Sequence, residues 1–372
     1  MALSKLPSNY NFEILKSIIR VRDLKDEIKR RPKVALQMPD GFMIFSILIA
    51  DILEKFAECE CVILGDITYG ACCLDDLGCK SLGCDFIIHY GHSCLIPITE
   101  SCVKTLYVFV DIQIDMEHLV KTIEYNFPDK DKKLHIMGSI QYNNSVFLCK
   151  RELVERGYKN VIIPQTKPRS GGEVLGCTSP SIGGCDSKNF QSDPDPTVIF
   201  LCDGRFHMES AMIANPDYTF YQYNPFTKLL SLERYEIDLM KKVRLDMINK
   251  CRSAKHVGII FGILGRQGNP DILNNITNVL SKKGISYTII LLSEITDQKI
   301  LQYSNCEVFI QIACPRISID WGIYFSKPVI TPYEAFVTWG DVEWKKNYPM
   351  DYYSYEGGEW SNYYNKRPKT KK

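Results

Sequence analysis

Short, unbroken apolar runs alternate with longer stretches of helical periodicity along most of this chain. From Lys33 onward the pattern predicts a strand at Val34–Pro39, a helix over Phe42–Phe56, a strand at Cys61–Asp66, a short helix near Leu74–Gly83, and strands at Asp85–Gly91 and Thr105–Ile112. Strands that are apolar throughout, rather than alternating, belong to parallel sheets covered on both faces. The pattern then restarts with a strand at Leu134–Ile140, a helix around Ser145–Gly157, and a strand at Asn160–Gln165. A strand at Thr197–Gly204, a helix near Phe206–Ala214, and a strand at Phe220–Pro225 complete this second unit. After a connecting helix over Leu232–Arg252 it restarts again, with strands at His256–Gly262, Tyr287–Ile295, Glu307–Arg316 and Pro328–Glu334 and a helix ending near Lys283. The expected architecture is therefore α/β: three related Rossmann-like domains with mostly parallel sheets, at 30–125, 126–253 and 254–350. The Ser/Asp/Pro-rich run Ser181–Pro196 reads as a surface loop, and 351–372 as a flexible basic tail.

Composition narrows the partners. In 372 residues, 45 basic and 44 acidic side chains leave a formal charge of +1, without the basic excess of a nucleic-acid or membrane-surface binder. Met1–Arg20 has no uninterrupted apolar core of a signal peptide, and the apolar stretch Phe42–Ala50 meets Asp51 long before it spans a bilayer. The expectation is a soluble, cytoplasmic protein. Its 15 cysteines are then expected to be thiols, most of them small buried apolar residues.

Against that background a few motifs carry chemistry. Neither a GxxxxGK[ST] loop nor a GxGxxG fingerprint occurs. The nearest segment, Gly262–Gly268 (GILGRQG), is either a tight strand-to-helix turn or a place where backbone N–H groups and Arg266 hold an anionic group. No CxxC pair announces zinc. His89, His92 and Cys94 in HYGHSC could supply a metal site or a Cys/His nucleophilic pair, or be hydrogen-bonded residues at a strand end. Three further cysteines each follow or end an apolar β-type segment: in GDITYGACCLDD (Gly65–Asp76), LGCTSP (Leu175–Pro180) and IACPR (Ile312–Arg316). They look like one site built from three domains. Iron and sulfur suit such dispersed thiolates, because three protein ligands leave one iron of a [4Fe-4S] cube open to a substrate.

The motifs VALQMPDG, GDITYGACCLDD, HYGHSCLIP, YVFVDI, GEVLGCTSP, GRFHMESAMIANP, GILGRQG, LLSEI, ACPRISIDWG and PYEA recur in order from Val34 to Ala335. Together they resemble the 2-(3-amino-3-carboxypropyl)histidine synthase family of diphthamide biosynthesis, in its eukaryotic subunit 1 branch. The resemblance implies three α/β domains about a pseudo-threefold centre, each donating one cysteine to a [4Fe-4S] cluster. By motif these are Cys72, Cys177 and Cys314, with Cys73 the competing neighbour of Cys72; the family pattern keeps GAC while the next position varies. It further implies cleavage of S-adenosylmethionine between sulfur and the γ-carbon of its methionine part. The 3-amino-3-carboxypropyl group then joins a histidine of elongation factor 2, and methylthioadenosine leaves. The CxxxCxxC signature of ordinary radical S-adenosylmethionine enzymes is absent.

Candidates for contact with S-adenosylmethionine are Gln141, Arg266, Gln267 and Gly268, which lie where strands end, though turn and packing roles suit them equally. Asp75, Asp76 and His92 are expected to be supporting residues, and no residue is assigned as proton acceptor. Implied partners are a homologous second subunit in a heterodimer, elongation factor 2 as protein substrate, and a small metal-binding electron donor, with no direct role for nucleic acid or membrane. The chain is shorter at its front than many relatives, so a partner contact made by a longer amino-terminal arm is in doubt. A catalytically silent scaffold subunit is the main alternative, and a zinc hydrolase built on His89, His92 and Cys94 the third.

Overall fold

The computed structural model describes residues 5–66, 68–166, 169–182, 196–354 and 357–366. They form two compact units. The first comprises residues up to Leu175, Ile182–Met208 and Tyr218–Glu233; the second comprises Gly176–Ser181, Glu209–Asp217 and the chain from Arg234 onward.

Among the described residues the first unit holds two larger sheets and a two-stranded one. In one, the parallel strands run in the order Glu60–Ile63, Lys33–Gln37, Phe86–Tyr90, Lys104–Val108. Val34, Ala35 and Leu36 are all fully buried, so both faces of the central strand are covered, as its unbroken apolar run requires. One face packs Leu36 and Ile88 against Ile49 and Leu53 of helix Ser46–Ala57 and against Val21 and Leu24 of helix Ile14–Ile28, an element the sequence pattern did not announce. The expected helix Phe42–Phe56 is divided into Asp40–Met43 and Ser46–Ala57, with the Ser46 hydroxyl donating to the Met43 carbonyl at 2.7 Å. The expected strand Thr105–Ile112 also breaks, at buried Val110. Its φ of 59° is the left-handed region a β-branched residue rarely adopts, and Asp111–Ile112 turns away to pair antiparallel with Tyr10–Asn11.

The other sheet runs Val161–Ile162, Leu134–Gly138, Thr197–Leu201, Thr219–Asn224, all parallel, and adds Leu229–Glu233 antiparallel at its edge. That last strand corrects the expected helix Leu232–Arg252, which starts only at Ile237. The reason is a tight turn: Asn224 Oδ1 accepts from the N–H groups of Phe226 and Thr227, and Lys228 at φ 54° sends the chain back.

In the second unit the strands run Ser286–Leu292, His256–Gly262, Val308–Ile312, Val329–Ile330, all parallel. Ile289, Ile259, Ile310 and Ile330 form one row across it, and the last three are fully buried. Each such burial contributes about 1.5–3 kcal/mol relative to exposure. The expected strand Pro328–Glu334 is cut to two residues. Thr331 and Glu334 form a capping box, with Pro332 at the first helical position, and start helix Pro332–Trp339. The expected flexible tail is corrected where it is described: Tyr352, Trp360 and Ser361 are buried, with the Trp360 ring 5.0 Å from that of Tyr333. Most of the expected loop Ser181–Pro196, and residues 367–372, lie outside the described residues.

The three larger sheets share one order: second strand at an edge, then first, third and fourth. Cys72 and Cys177 follow the second strand of their sheets, whereas Cys314 follows the third. Ligands of open α/β sheets bind beyond the carboxyl ends of strands, which is where all three loops begin.

Candidate functional site

Cys72 and Cys73 occupy a single 3₁₀ turn, Ala71–Cys73, in the first unit. Gln37, the last residue of its strand, is the register partner of His89, so both side chains leave the sheet on one face. Its Nε2 donates to the Cys73 carbonyl at 2.8 Å. Its Oε1 accepts from His89 Nδ1 at 2.9 Å and from the Asp75 N–H at 3.3 Å. The turn is thereby clamped with Cys73 buried and Cys72 half-buried. Asp75 caps helix Asp76–Ser81 through the Gly78 N–H at 2.9 Å, and fully buried Asp76 accepts from the Cys102 N–H at 2.7 Å. Both carboxylates shape the loop, as expected of them.

His89 and His92 do the same. With Nδ1 given to Gln37, the Nε2 of His89 faces His92 Nδ1 at 3.1 Å, so neither ring nitrogen of His89 is left for a metal. Among the described residues no group of three or more His, Cys, Asp or Glu is placed to hold a metal ion. Burial pushes His89 down to about 4 and, with the neighbouring His89 and His207, holds His92 well below the usual histidine range. Both are neutral in the fold and charge readily only when it opens, so their contribution to stability is complete above pH 6.5 and is lost as pH falls toward 4. Taken alone, His89 should lower stability by about 2 kcal/mol between pH 7 and pH 5. Urea unfolding at the two pH values measures this, and His89→Asn should flatten the difference; an unchanged slope in the variant would assign it to other groups.

In the second unit Cys177 and Cys314, distant in sequence, sit in two loops tied by one side chain. Arg316 donates from Nη1 to the carbonyl of Gly176 at 3.1 Å, from Nη2 to Glu209 at 2.6 Å, and from Nε to Asp320 at 2.8 Å. Burial opposes its charge, but the carboxylates of Asp320 and Glu209 outweigh it and raise the guanidinium above its ordinary value. The other end of the Cys177 loop is held by Asn215, which donates to the Pro180 carbonyl at 2.9 Å. Cys314 precedes helix Pro315–Trp321, and its carbonyl accepts from Gln311 Nε2 at 2.8 Å. A strand glutamine thus grips the cysteine loop here as Gln37 does in the first unit. Most described cysteines are buried; the half-buried ones are Cys61, Cys72, Cys177 and Cys314. Cys61 lies within strand Glu60–Ile63, its Sγ 3.7 Å from that of Cys59, whereas the other three stand on loops or turns after strands. Half-buried cysteine thiols on clamped strand-end loops are the kind of donor that iron and sulfur take.

The remaining candidates are turn residues first. Gln141 donates to the Gly91 carbonyl at 2.6 Å, which fixes the turn after strand Phe86–Tyr90. Gln267 is buried, Arg266 is half-buried, and the Gly268 N–H closes the loop onto the Gly262 carbonyl at 3.0 Å. The start of helix Pro270–Lys282 is capped by Asn269, which accepts from the N–H groups of Asp271 and Ile272, so those donors are already used. Gly268 is required for close approach: a Cβ there would lie 2.4 Å from the Gly262 oxygen and 2.6 Å from the Phe261 ring. Gly268→Ala should therefore cost about 1–3 kcal/mol in urea unfolding. A variant as stable as the parent would show that this turn yields freely.

Reasoning from sequence passed over Gln37, Arg316, Glu209 and Asn215. All four stand inside the quoted motifs, but their partners lie far along the chain.

The family model described as "Putative diphthamide synthesis protein" matches residues 38–349. The 2-(3-amino-3-carboxypropyl)histidine synthase subunit 1 of Dictyostelium discoideum is 49% identical over 363 residues, covering 98% of this chain and 75% of that protein. The protein of the same name from Homo sapiens is 46% identical over 355 residues, covering 95% of this chain and 77% of its own. Among solved structures, Dph2 from Pyrococcus horikoshii has a TM-score of 0.70 at 24% identity, covering 89% of this chain and 92% of that one. The structure of Dph2 with a 4Fe-4S cluster has a TM-score of 0.71, also at 24% identity, covering 90% and 92%. At that identity the likeness is one of fold.

Proposed function

The chain belongs to the diphthamide synthesis protein family, and from that premise we propose that it is a transferase of the first step of diphthamide synthesis. It holds a [4Fe-4S] cluster through Cys72, Cys177 and Cys314 and moves the 3-amino-3-carboxypropyl group of S-adenosylmethionine to a histidine of elongation factor 2. The observation that carries the reading is the Arg316 tie, which joins the Cys177 and Cys314 loops across a long stretch of chain while leaving both thiols half-exposed. The Dph2 structure that contains a 4Fe-4S cluster shares this fold.

When bound, such a cluster supplies one electron to the sulfonium and an iron free of protein ligand. The chain's own residues hold and orient. Gln37 and Gln311 keep the cysteine loops from moving, and neutral His89 and His92 add no charge beside the Cys72 turn. Arg266, in its half-buried turn, is proposed to pair with the carboxylate of the methionine part, with Gln267 and Gly268 shaping that turn and Gln141 shaping the corresponding edge of the first unit. The three-domain division at 30–125, 126–253 and 254–350, with one cysteine from each, belongs to the same proposal. So do a homologous second subunit, a small metal-binding electron donor and a cytoplasmic setting. No described helix is long and apolar enough to cross a membrane.

Anaerobic reconstitution with iron and sulfide, reduction by dithionite, and analysis of the products from S-adenosylmethionine, with elongation factor 2 and the second subunit present, test the proposal. Methylthioadenosine together with modified elongation factor 2 is the expected result. 5′-Deoxyadenosine would refute the choice of bond, and a chain that takes up no cluster would be the scaffold subunit instead.

A further inference from the structure

Cys59 and Cys61 stand apart from the cysteines of the strand-end loops. They flank Glu60 at the amino end of strand Glu60–Ile63, whereas Cys72 follows the carboxyl end of that strand. Residues two apart on an extended chain face the same way, and both of these side chains pack on the core of the first unit. Their Sγ atoms lie 3.7 Å apart, close enough for either thiol to donate to the other. Both are free thiols, Cys59 fully buried and Cys61 half-buried. The backbone fixes this pairing from both sides. Arg31 Nη2 donates to the Cys59 carbonyl at 2.6 Å, the Glu60 N–H to the Pro32 carbonyl at 2.8 Å, and the Cys61 N–H to Glu54 Oε1 at 2.9 Å. Because the two sulfurs share a proton, the hydrogen bond from Cys61 lowers the Cys59 thiol below its ordinary value, and the same bond raises Cys61. A thiolate, not a thiol, is the nucleophile in disulfide chemistry.

We infer that Cys59 and Cys61 form a thiol–disulfide exchange site, at which a low-molecular-weight disulfide such as glutathione disulfide converts the pair to an intramolecular disulfide. The inference does not depend on the cluster reading. Cys61, the sulfur within reach of solvent, attacks the oxidant as its proton passes to the Cys59 thiolate. A bond forms between Cys61 and one sulfur of the oxidant, the oxidant's own S–S bond breaks, and the thiolate released takes the proton from Cys59. Cys59 then attacks the Cys61 sulfur, which closes the bridge and releases a second thiolate that is protonated by water. The two cysteines lose two electrons together, and the oxidant is reduced to two thiols. A disulfide holds its sulfurs about 2.05 Å apart, so closure draws the pair together by under about 2 Å. The strand lies at the edge of its sheet and is paired on one side, which leaves it room to shift. Bridging a single intervening residue on a strand held extended strains the ring, and strained disulfides are the readily reduced, regulatory kind.

The test exposes the full-length folded chain to glutathione disulfide, traps remaining thiols with N-ethylmaleimide, and cleaves before aspartate. The fragment Asp51–Gly65 then carries Cys59 and Cys61 and no other cysteine. In the parent, mass spectrometry should find this fragment two hydrogens lighter and unalkylated, outnumbering its glutathione adduct about tenfold, because the second thiol is already in contact with the first. Dithiothreitol should restore two alkylatable thiols. Cys59→Ser should hold glutathione at Cys61 as a lasting adduct, and Cys61→Ser should leave Cys59 unmodified until urea opens the fold. Exposed Cys94 reports that the oxidant was active. A parent fragment that keeps both thiols while Cys94 is modified, or that stops at the glutathione adduct, would overturn the inference, and neither result requires a variant to fold. Glutathione on Cys59 in folded Cys61→Ser would overturn Cys61 as the point of entry.

Discussion

Alanine at Cys177 or Cys314 should strip most of the iron–sulfur absorbance from the reconstituted protein, whereas alanine at Cys251 or Cys306 should leave it in place. Cys251 and Cys306 are fully buried, and burial pushes the Cys251 thiol up to about 12, so it behaves as a small apolar side chain. Cys177 and Cys314 are half-buried on loops that Arg316 holds together. In the first unit the same contrast separates two neighbours. Cys73 is 1% exposed and its carbonyl is gripped by Gln37, while Cys72 is half-buried. Cys72→Ser should abolish activity and Cys73→Ser should leave a substantial part of it. Losing a ligand should cost more than the roughly 10–100-fold typical of residues that merely support ligands. Iron and sulfide analysis beside the absorbance spectrum measures this. Equal cluster content across all the variants would defeat the assignment, and a dead Cys73→Ser with an active Cys72→Ser would move the ligand by one residue.

Arg244→Met should destabilise the second unit by about 3–5 kcal/mol, read as a fall in the urea midpoint. Arg244 and Glu334 are both fully buried, and the guanidinium donates to both carboxylate oxygens, at 2.7 and 2.6 Å. It also donates to the carbonyls of Ser318 at 2.7 Å and Val329 at 2.9 Å. Burial opposes the charge on Arg244, but Glu334 outweighs it, so the guanidinium stays charged. Removing the cation leaves a carboxylate inside an apolar core with only Tyr348 and the Thr331 backbone to satisfy it. Replacing both partners, Arg244→Met with Glu334→Leu, should recover part of the loss, because no buried charge then remains. A double variant as unstable as the single one would place the cost in the lost carbonyl bonds to Ser318 and Val329. Ser318 lies in the helix that follows Cys314, so the single variant should also loosen that end of the site.

The parallel strands were legible because strands covered on both faces are apolar at nearly every position, and such runs mark themselves at Val34–Leu36, Thr197–Leu201 and Val308–Ile312. The strand expected at Pro328–Glu334 hid the start of helix Pro332–Trp339, although Thr331 and Glu334 stand at capping-box spacing. Cys72, Cys177 and Cys314 could be singled out by their places in recurring motifs. Other features depended on residues far away. Val110 holds a left-handed conformation because its side chain is buried in the core of the first unit, and no local pattern announces such a break. Tyr352 and Trp360 pack although the Tyr-rich segment leading to a basic end reads as a mobile tail. Arg316 binds Gly176 and Glu209, and Gln37 binds Cys73 and His89, through contacts that only the folded sheets create. By itself the sequence determined the elements and the cysteine loops, because apolar periodicity and capping act over a few residues. Which cysteines stay half-buried and which arginine ties the loops were decided by tertiary structure, because burial and hydrogen bonding depend on partners that chain distance does not reveal.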